Sequence, residues 1–464
     1  MTGNTESTLK NVLEAEAGML DVTDDPWSGF ERRERNHKRR RRAVAAGVVV
    51  ALAAAGGVQA GLVPLPGWAP GIQVAGFNAA LAEGPVRGSL AGDKALLEGV
   101  RQEIKDVEDP DETWRVADRE AIKFVYAADV GNERLVLALV PLRFGFLEDN
   151  SLIWYTGEAG APASKLTESG RTDGGDSVVT YGGTTADRPG TLVVVGPRGS
   201  TVSVSQGFRY TPEGTVEHGP AQVQPAGTGL AELTVPPSPT PVEMKVTVTS
   251  GPDTIYDGNA NLGWAGNSPT GLPELSDATL AAALGDRDLD RAILRSWVNH
   301  ALSDARLGPD GTAVTVRWTG TVNGQPAALF TIQPRGGGVL AYAIHGVETS
   351  YRQDLRLLLP VPGVAERPIA WRMRAEGKDD RTDRVIVTAP VGAERVELQI
   401  GGAAPVAVAL DGTGAGTAAV PGSAEARVTA YGKNGSIMGS TPVPPFETDS
   451  GGLPGDTEKT RVVG

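Results

Sequence analysis

The sequence predicts an α+β, mainly β protein: one N-terminal transmembrane helix, then a tandem duplication of a helix-plus-antiparallel-sheet unit followed by a small β-sandwich. Three observations predict it. Residues 43–63 form an uncharged apolar run directly after an arginine block. Much of the remainder alternates apolar and polar residues with the period of a strand. Several of these runs recur in the same order at an offset of about 193 residues.

The apolar run Ala43–Val63 reads AVAAGVVVALAAAGGVQAGLV, with Gln59 as its one strongly polar residue. As a helix it would span about 31 Å, close to the hydrocarbon thickness of a bilayer. The preceding block, Glu31–Arg42, ends in Arg39, Arg40, Arg41 and Arg42. Such a block holds the N-terminus in the cytoplasm. Pro64 and Pro66 stop the helix, and Trp68 suits the membrane interface. The expectation is a cytoplasmic tail over 1–42, a membrane helix over 43–63 and an extracytoplasmic remainder, so a single-pass protein of the cell membrane. Two other readings stay open: a cleaved signal peptide ending near Val58-Gln59-Ala60, and a buried soluble helix. Gly57 and Gly61 have the GxxxG spacing that lets two such helices approach as a homodimer.

In the tail, Leu9, Val12, Leu13, Met19 and Leu20 share roughly one face of a helix, and Trp27 and Phe30 follow an acidic stretch. Forty-two residues cannot build an independent core. Leu9, Val12, Leu13, Trp27 and Phe30 are therefore the candidate residues for a protein partner or the membrane surface. A floppy leader is the plain alternative. The layout resembles actinobacterial single-pass membrane proteins related in arrangement to membrane-bound anti-sigma factors. The resemblance lies in the leucine-bearing tail, Asp25-Pro26-Trp27, the arginine-rich stop and the alanine-rich span. It implies a transmembrane regulator whose tail holds a cytosolic partner. The zinc-binding pattern of that family, a histidine followed by paired cysteines, is absent, because the chain has no cysteine.

Composition sets further bounds. With 464 residues, 40% of them hydrophobic, the chain can fill two to four domain cores. Sixty-one glycines, 33 prolines and 5% aromatics favour many turns over long helices. The net charge is -13. Residues 1–42 hold nine of the 43 basic and eight of the 56 acidic residues, which leaves 34 and 48 beyond them. An acidic bulk argues against a nucleic-acid groove. The lack of cysteine excludes disulfides, thiol catalysis and Cys-ligated zinc.

The internal match runs as follows. Ile122, Phe124 and Tyr126 alternate as do Val314, Val316 and Trp318, with Gly131 and Gly324 in the next turn. Leu135, Leu137 and Leu139 then correspond to Ala328, Phe330 and Ile332, ending at Pro141 and Pro334. Leu96, Val100 and Ile104 share a helical face, as do Leu289, Ile293 and Trp297. Late in each copy, Glu243-Met-Lys-Val-Thr parallels Glu425-Ala-Arg-Val-Thr. The expected units are α+β modules over 72–183 and 274–378, β-sandwiches over 184–258 and 379–446, and a disordered polar tail over 447–464.

No residue set carries a catalytic, cofactor or metal signature. His37, His218, His300 and His345 lack ligand spacing. Asp286, Asp288 and Asp290 start like a calcium loop, but Arg291 and Trp297 stand where glycine and glutamate are needed, so an acidic helix start is the better reading. Gly412, Gly414 and Gly416 precede no helix, and Glu108, Asp109, Asp111 and Glu112 read as a solvated loop. Leu453–Thr457 only superficially resembles a sorting signal. The functional expectation is a non-enzymatic cell-envelope protein, without cofactor, whose extracytoplasmic modules bind a partner, glycan or small ligand. The alternative is the transmembrane regulator.

Overall fold

The computed structural model describes residues 72–73, 79–109, 112–145, 147–260, 262–265, 275–347, 350–373, 383–445 and 452–462. The predicted tail, the apolar run 43–63, Gly57, Gly61 and Trp68 lie outside the described residues. Among the described residues no helix is long and apolar enough to cross a membrane.

The first part comprises β1 (Ile72–Gln73), α1 (Ala79–Ala82), α2 (Lys94–Glu103), β2 (Val107–Asp109), β3 (Glu112–Val116), β4 (Lys123–Val130), β5 (Glu133–Phe144), β6 (Leu147–Glu158) and β7 (Thr167–Asp173). These strands form one seven-stranded sheet built around β5 and β6. Its central strand β5 reads as a nearly continuous apolar run because both faces are covered. Leu96, Leu97 and Val100 of α2 pack on one face, with Val136, Ala138 and Val140. Asp93 caps α2, accepting a 2.9 Å hydrogen bond from the Leu96 amide. The opposite face, with Leu135, Leu137 and Trp154, packs on Val193 and Val195 of the next sheet.

That sheet belongs to a sandwich made of β8 (Val179–Thr185), β9 (Gly190–Val195), β10 (Thr201–Gln206), β11 (Phe208–Tyr210), β12 (Val216–His218), β13 (Ala221–Val223), β14 (Leu230–Val235), β15 (Met244–Ser250), β16 (Asp253–Asn259) and β17 (Gly263–Ala265). The order β14-β9-β8-β17 faces β13-β10-β15-β16. Leu192 and Val194 of one sheet meet Val202, Val204, Val246 and Val248 of the other. The hairpin β11–β12 stands apart from both sheets.

The second half begins with α3 (Asp277–Leu284) and α4 (Arg291–Asp304), which pack on a meander of β18 (Thr312–Val322), β19 (Gln325–Pro334), β20 (Val339–Val347) and β21 (Ser350–Leu359). Asp290 caps α4 by accepting from the Ala292 and Ile293 amides. The other face of the meander packs on β22 (Ile369–Arg372) and β23 (Arg384–Thr388). These strands and β26 (Ala415–Ala419) form a three-stranded sheet facing β24 (Arg395–Ile400), β25 (Val406–Ala407), β27 (Ala426–Tyr431) and β28 (Ile437–Pro442).

These observations correct the sequence reading. The described chain is mostly β, 49% strand and 13% helix, in several sheets, and does not form a membrane helix followed by a repeated helix-plus-sheet unit. The likeness between the halves is local. The hairpin β4–β5 has a register shift between Phe124 and Tyr126, and β18–β19 has one between Val316 and Trp318. Beyond that hairpin, one sheet has seven strands with helices of four and ten residues, whereas the other has four strands with helices of eight and fourteen. The physical reason is that a period of two is common to every pleated strand, so matched alternation does not fix strand number or pairing.

A second departure concerns the C-terminus. Part of the expected polar tail, residues 452–462, is packed: Leu453 is 1% exposed and Val462 2%. The Val462 amide donates to the Leu358 carbonyl (2.9 Å), and Arg461 bridges Leu358 in parallel. Arg356 Nη1 donates to the Gly452 carbonyl at 2.8 Å.

Candidate functional site

The two halves meet where the hairpin β11–β12 enters the core under α3 and α4. Tyr210 is buried there, with Phe208 and Val216 packed beside it. Tyr210 Oη donates to the Ala305 carbonyl just past α4 (3.1 Å), and the Val361 amide donates to the Pro212 carbonyl (2.8 Å). Behind this contact lies a cleft of about 350 Å³ lined by residues of both halves, among them Phe208, Tyr210, Pro241, Glu243, Arg306 and Pro334.

Glu243 precedes β15 and is 5% exposed. Its Oε2 lies 3.5 Å from Arg306 Nε, the long limit of an ion pair, and neither its Oε1 nor that Nε has a hydrogen-bond partner. Burial pushes the Glu243 carboxyl up to about 7, with Arg306 opposing that rise, Asp456 adding to it and His218 opposing it. A buried carboxylate beside a cleft, with a raised pKa and an unpaired oxygen, makes Glu243 the candidate residue of this junction.

Arg306 owes its position to a turn. The Leu307 amide donates to the Leu302 carbonyl (2.8 Å) and the Arg306 amide to that of Ser303 (3.1 Å). This is the Schellman closure of α4, and it puts Arg306 at the left-handed position, φ 55°, where glycine is usual. A non-glycine residue there costs about 1 kcal/mol. The strained residue is the one that faces Glu243.

A polar network surrounds the pair. Asp304, the last residue of α4, accepts from Tyr342 Oη (2.9 Å) and from Arg356 Nη1 (3.0 Å). His218 Nε2 lies 2.8 Å from Asp456 Oδ1, tying the C-terminal segment to the hairpin. Burial drives the Tyr210 and Tyr342 hydroxyls well above their usual pKa, so both act as neutral donors.

Leu9, Val12, Leu13, Trp27, Phe30 and Arg39 to Arg42 all lie outside the described residues. The three described histidines are not brought together: His218 meets Asp456, His300 Nε2 meets Gln353 Oε1 (2.8 Å), and His345 Nδ1 meets Asp354 Oδ2 (2.8 Å). Among the described residues no His, Cys, Asp and Glu group could hold a metal ion. Glu243 served in the sequence only as a marker of the match with Glu425, and Arg306 carried no signal. A wider depression of about 690 Å³ beside α2 is lined by Lys94, Glu98, Arg101 and Lys123. Of these, Arg101 is already engaged by the carbonyls of Arg119 and Ile122, and the others are exposed.

Compared with known proteins, the chain matches no family model and no curated relative.

Proposed function

We propose that this is a non-enzymatic binding protein of the cell envelope that holds a small ligand in the cleft where its halves meet. The observation that carries the reading is the cleft itself, lined by residues of both halves with the buried Glu243 among them. Glu243 is the one carboxylate among the lining residues, whereas glycoside hydrolysis by acid and base needs a facing pair. The membrane location rests on the amino-acid sequence of residues 31–63 alone. The regulator reading rests on residues 1–35, outside the described part.

The test is to offer the full-length chain small-molecule probes and cell-wall polymers side by side. Saturable binding that Glu243→Gln weakens, without turnover, is the expected result. Polymer hydrolysis abolished by the same substitution would overturn the reading.

A further inference from the structure

We propose that residues 452–462 form a latch. Seated, the segment holds the hairpin β11–β12 against the second half; released, it frees that hairpin, which is one wall of the cleft. The inference concerns how the cleft opens and so rests on the binding function proposed above, but the latch itself is measured without a ligand.

The hairpin is the wall that can move. Phe208, Arg209 and Tyr210 of β11 line one side of the cleft, and Arg306, Leu307 and Pro334 of the second half line the other. The strands β11 and β12 pair only with each other, so no sheet ladder anchors them. Tyr210 Oη and the Pro212 carbonyl hold the closed end of the hairpin. The open end, where Phe208 pairs with His218, meets the segment through His218 and Asp456. His218 Nδ1 is buried without a partner, so Nε2 makes the ring's one hydrogen bond among the described residues.

The segment is built to dock as a body. Leu453–Asp456 closes as a β-turn with proline second and a left-handed glycine third, the type II pattern: the Asp456 amide donates to the Leu453 carbonyl (3.1 Å), and Gly455 has φ 91°. The Thr460 amide donates to the Thr457 carbonyl (3.1 Å), and the Gly455 amide to Thr460 Oγ1 (2.9 Å). These bonds lie within the segment and survive its release, so docking orders little new chain. Its hold on the rest is brief. It wraps the edge of β21, with Leu453 in the core on the helix side and Val462 in the core on the other. Among the described residues one backbone hydrogen bond joins it to β21, from the Val462 amide to the Leu358 carbonyl, whereas β20 and β21 pair from Val339 to Val347. Arg356 and His218 each add a polar tie. Few ties at a sheet edge are what local opening at low free energy requires.

Gly455 is where the latch is fitted. A Cβ there would run into the Leu358 side chain, and its φ is one that other residues rarely adopt. Alanine at 455 therefore lifts the segment from β21 without touching the hairpin's own residues.

Hydrogen exchange read by mass spectrometry on the full-length chain, with Asp456→Ala and Gly455→Ala, tests the latch. Asp456→Ala should speed exchange over 208–218 about tenfold, while β19 and β20 keep the native rate. Gly455→Ala should do the same and also strip protection from the Val462 amide; should it not fold, Asp456→Ala decides alone. Native exchange over 208–218 in the folded variants would mean that the segment only seals the edge of β21, and the latch would be refuted. An equal rise in β19 and β20 would make the segment a member of the global fold, and would refute it too. If the hairpin responds as expected while no probe binds the native chain, the latch stands and the binding function of the cleft falls.

Discussion

The molecule has two seams at which a sheet-and-helix unit meets other strands through an arginine, a tyrosine and a glutamate, and the two are finished differently. At the first, Arg87 is 8% exposed and its Nη1 donates to the Gly196 carbonyl at 2.7 Å, with the Thr228 and Gly229 carbonyls at 3.4 Å. Tyr126 Oη donates to Glu232 Oε1 (2.7 Å), and Thr191 Oγ1 donates to the Val130 carbonyl (3.3 Å). Arg87 Nη2 lacks a partner, but Arg87 lines neither cleft described above. At the second seam, arginine and glutamate stand at 3.5 Å beside a cleft, with Glu243 Oε1 and Arg306 Nε buried and unpartnered. The same residue types close one junction with direct hydrogen bonds and leave the other with a long ion pair beside a cleft. What separates them is degree: Arg87 pairs its Nη1 at 2.7 Å and leaves Nη2 without a partner, whereas Arg306 and Glu243 meet only at 3.5 Å.

The largest expected effect breaks the closed seam. Arg87→Ala strips the buried Gly196 carbonyl of its donor and removes the packing of the long side chain, which should cost roughly 3 kcal/mol. Denaturant unfolding measures it, and probe binding at the far cleft should stay unchanged. Burial, reinforced by the nearby charge of Arg198, already pushes the Arg87 guanidinium down to about 10, so its cation is held by its carbonyl contacts rather than by solvent. If Glu243→Gln were as damaging at neutral pH, the distinction between the seams would vanish.

The second prediction sharpens the open seam through pH. Unfolded, Glu243 loses its proton near 4.5, whereas folded it keeps it to about 7. Between these values the folded state binds more protons, so raising the pH favours unfolding. The contribution of the protonated carboxyl is fully present below 4.5 and is lost by about 7. It amounts to no more than about 3 kcal/mol. Asp129 and Asp411 have depressed pKa values, so their contributions grow with pH in the acid range and leave this window. Thermal melts of the native chain and Glu243→Gln across pH 4–8 should diverge only there. Parallel curves would place Glu243 in a solvated, ordinary environment.

The sequence carried much of the β character, because alternation reports burial of a strand face directly. Lys123–Val130 and Thr312–Val322 are strands as expected, and α2 carries Leu96 and Val100 on its buried face, whereas α4 begins only after Leu289 and buries Leu294, Trp297 and Val298 with Ile293 at the margin. The sheets' unequal sizes were not legible, because pairing depends on contacts between distant segments. The cleft was hidden for a related reason. In the run Glu243-Met-Lys-Val, Met244 and Val246 turn into the sandwich, so Glu243 shares the outward phase of Lys245. It is buried by Arg306 and Leu307 of the other half, which no local pattern announces. Likewise the glycine a reader would assign to the end of α4 is Gly308, two residues beyond the left-handed position that Arg306 occupies. Leu453 and Val462 look like isolated apolar residues in a polar tail until the edge of β21 gives them a seat.

The smallest predicted effect is the most discriminating, because its sign changes with pH. Arg306→Gly relieves a left-handed non-glycine residue, a gain of no more than about 0.5 kcal/mol once the greater freedom of glycine in the unfolded chain is counted. Near pH 5 Glu243 is protonated and does not need a cation, so the variant should unfold at a higher temperature than the native chain. Near pH 8 the native carboxylate is ionised beside Arg306, and its removal leaves a buried charge alone. The gain should then shrink or reverse, and the folded pKa of Glu243 should climb further. Differential scanning calorimetry at the two pH values reads this directly. A gain equal at both would mean that Arg306 does not act on Glu243, and the second seam would then be as purely structural as the first.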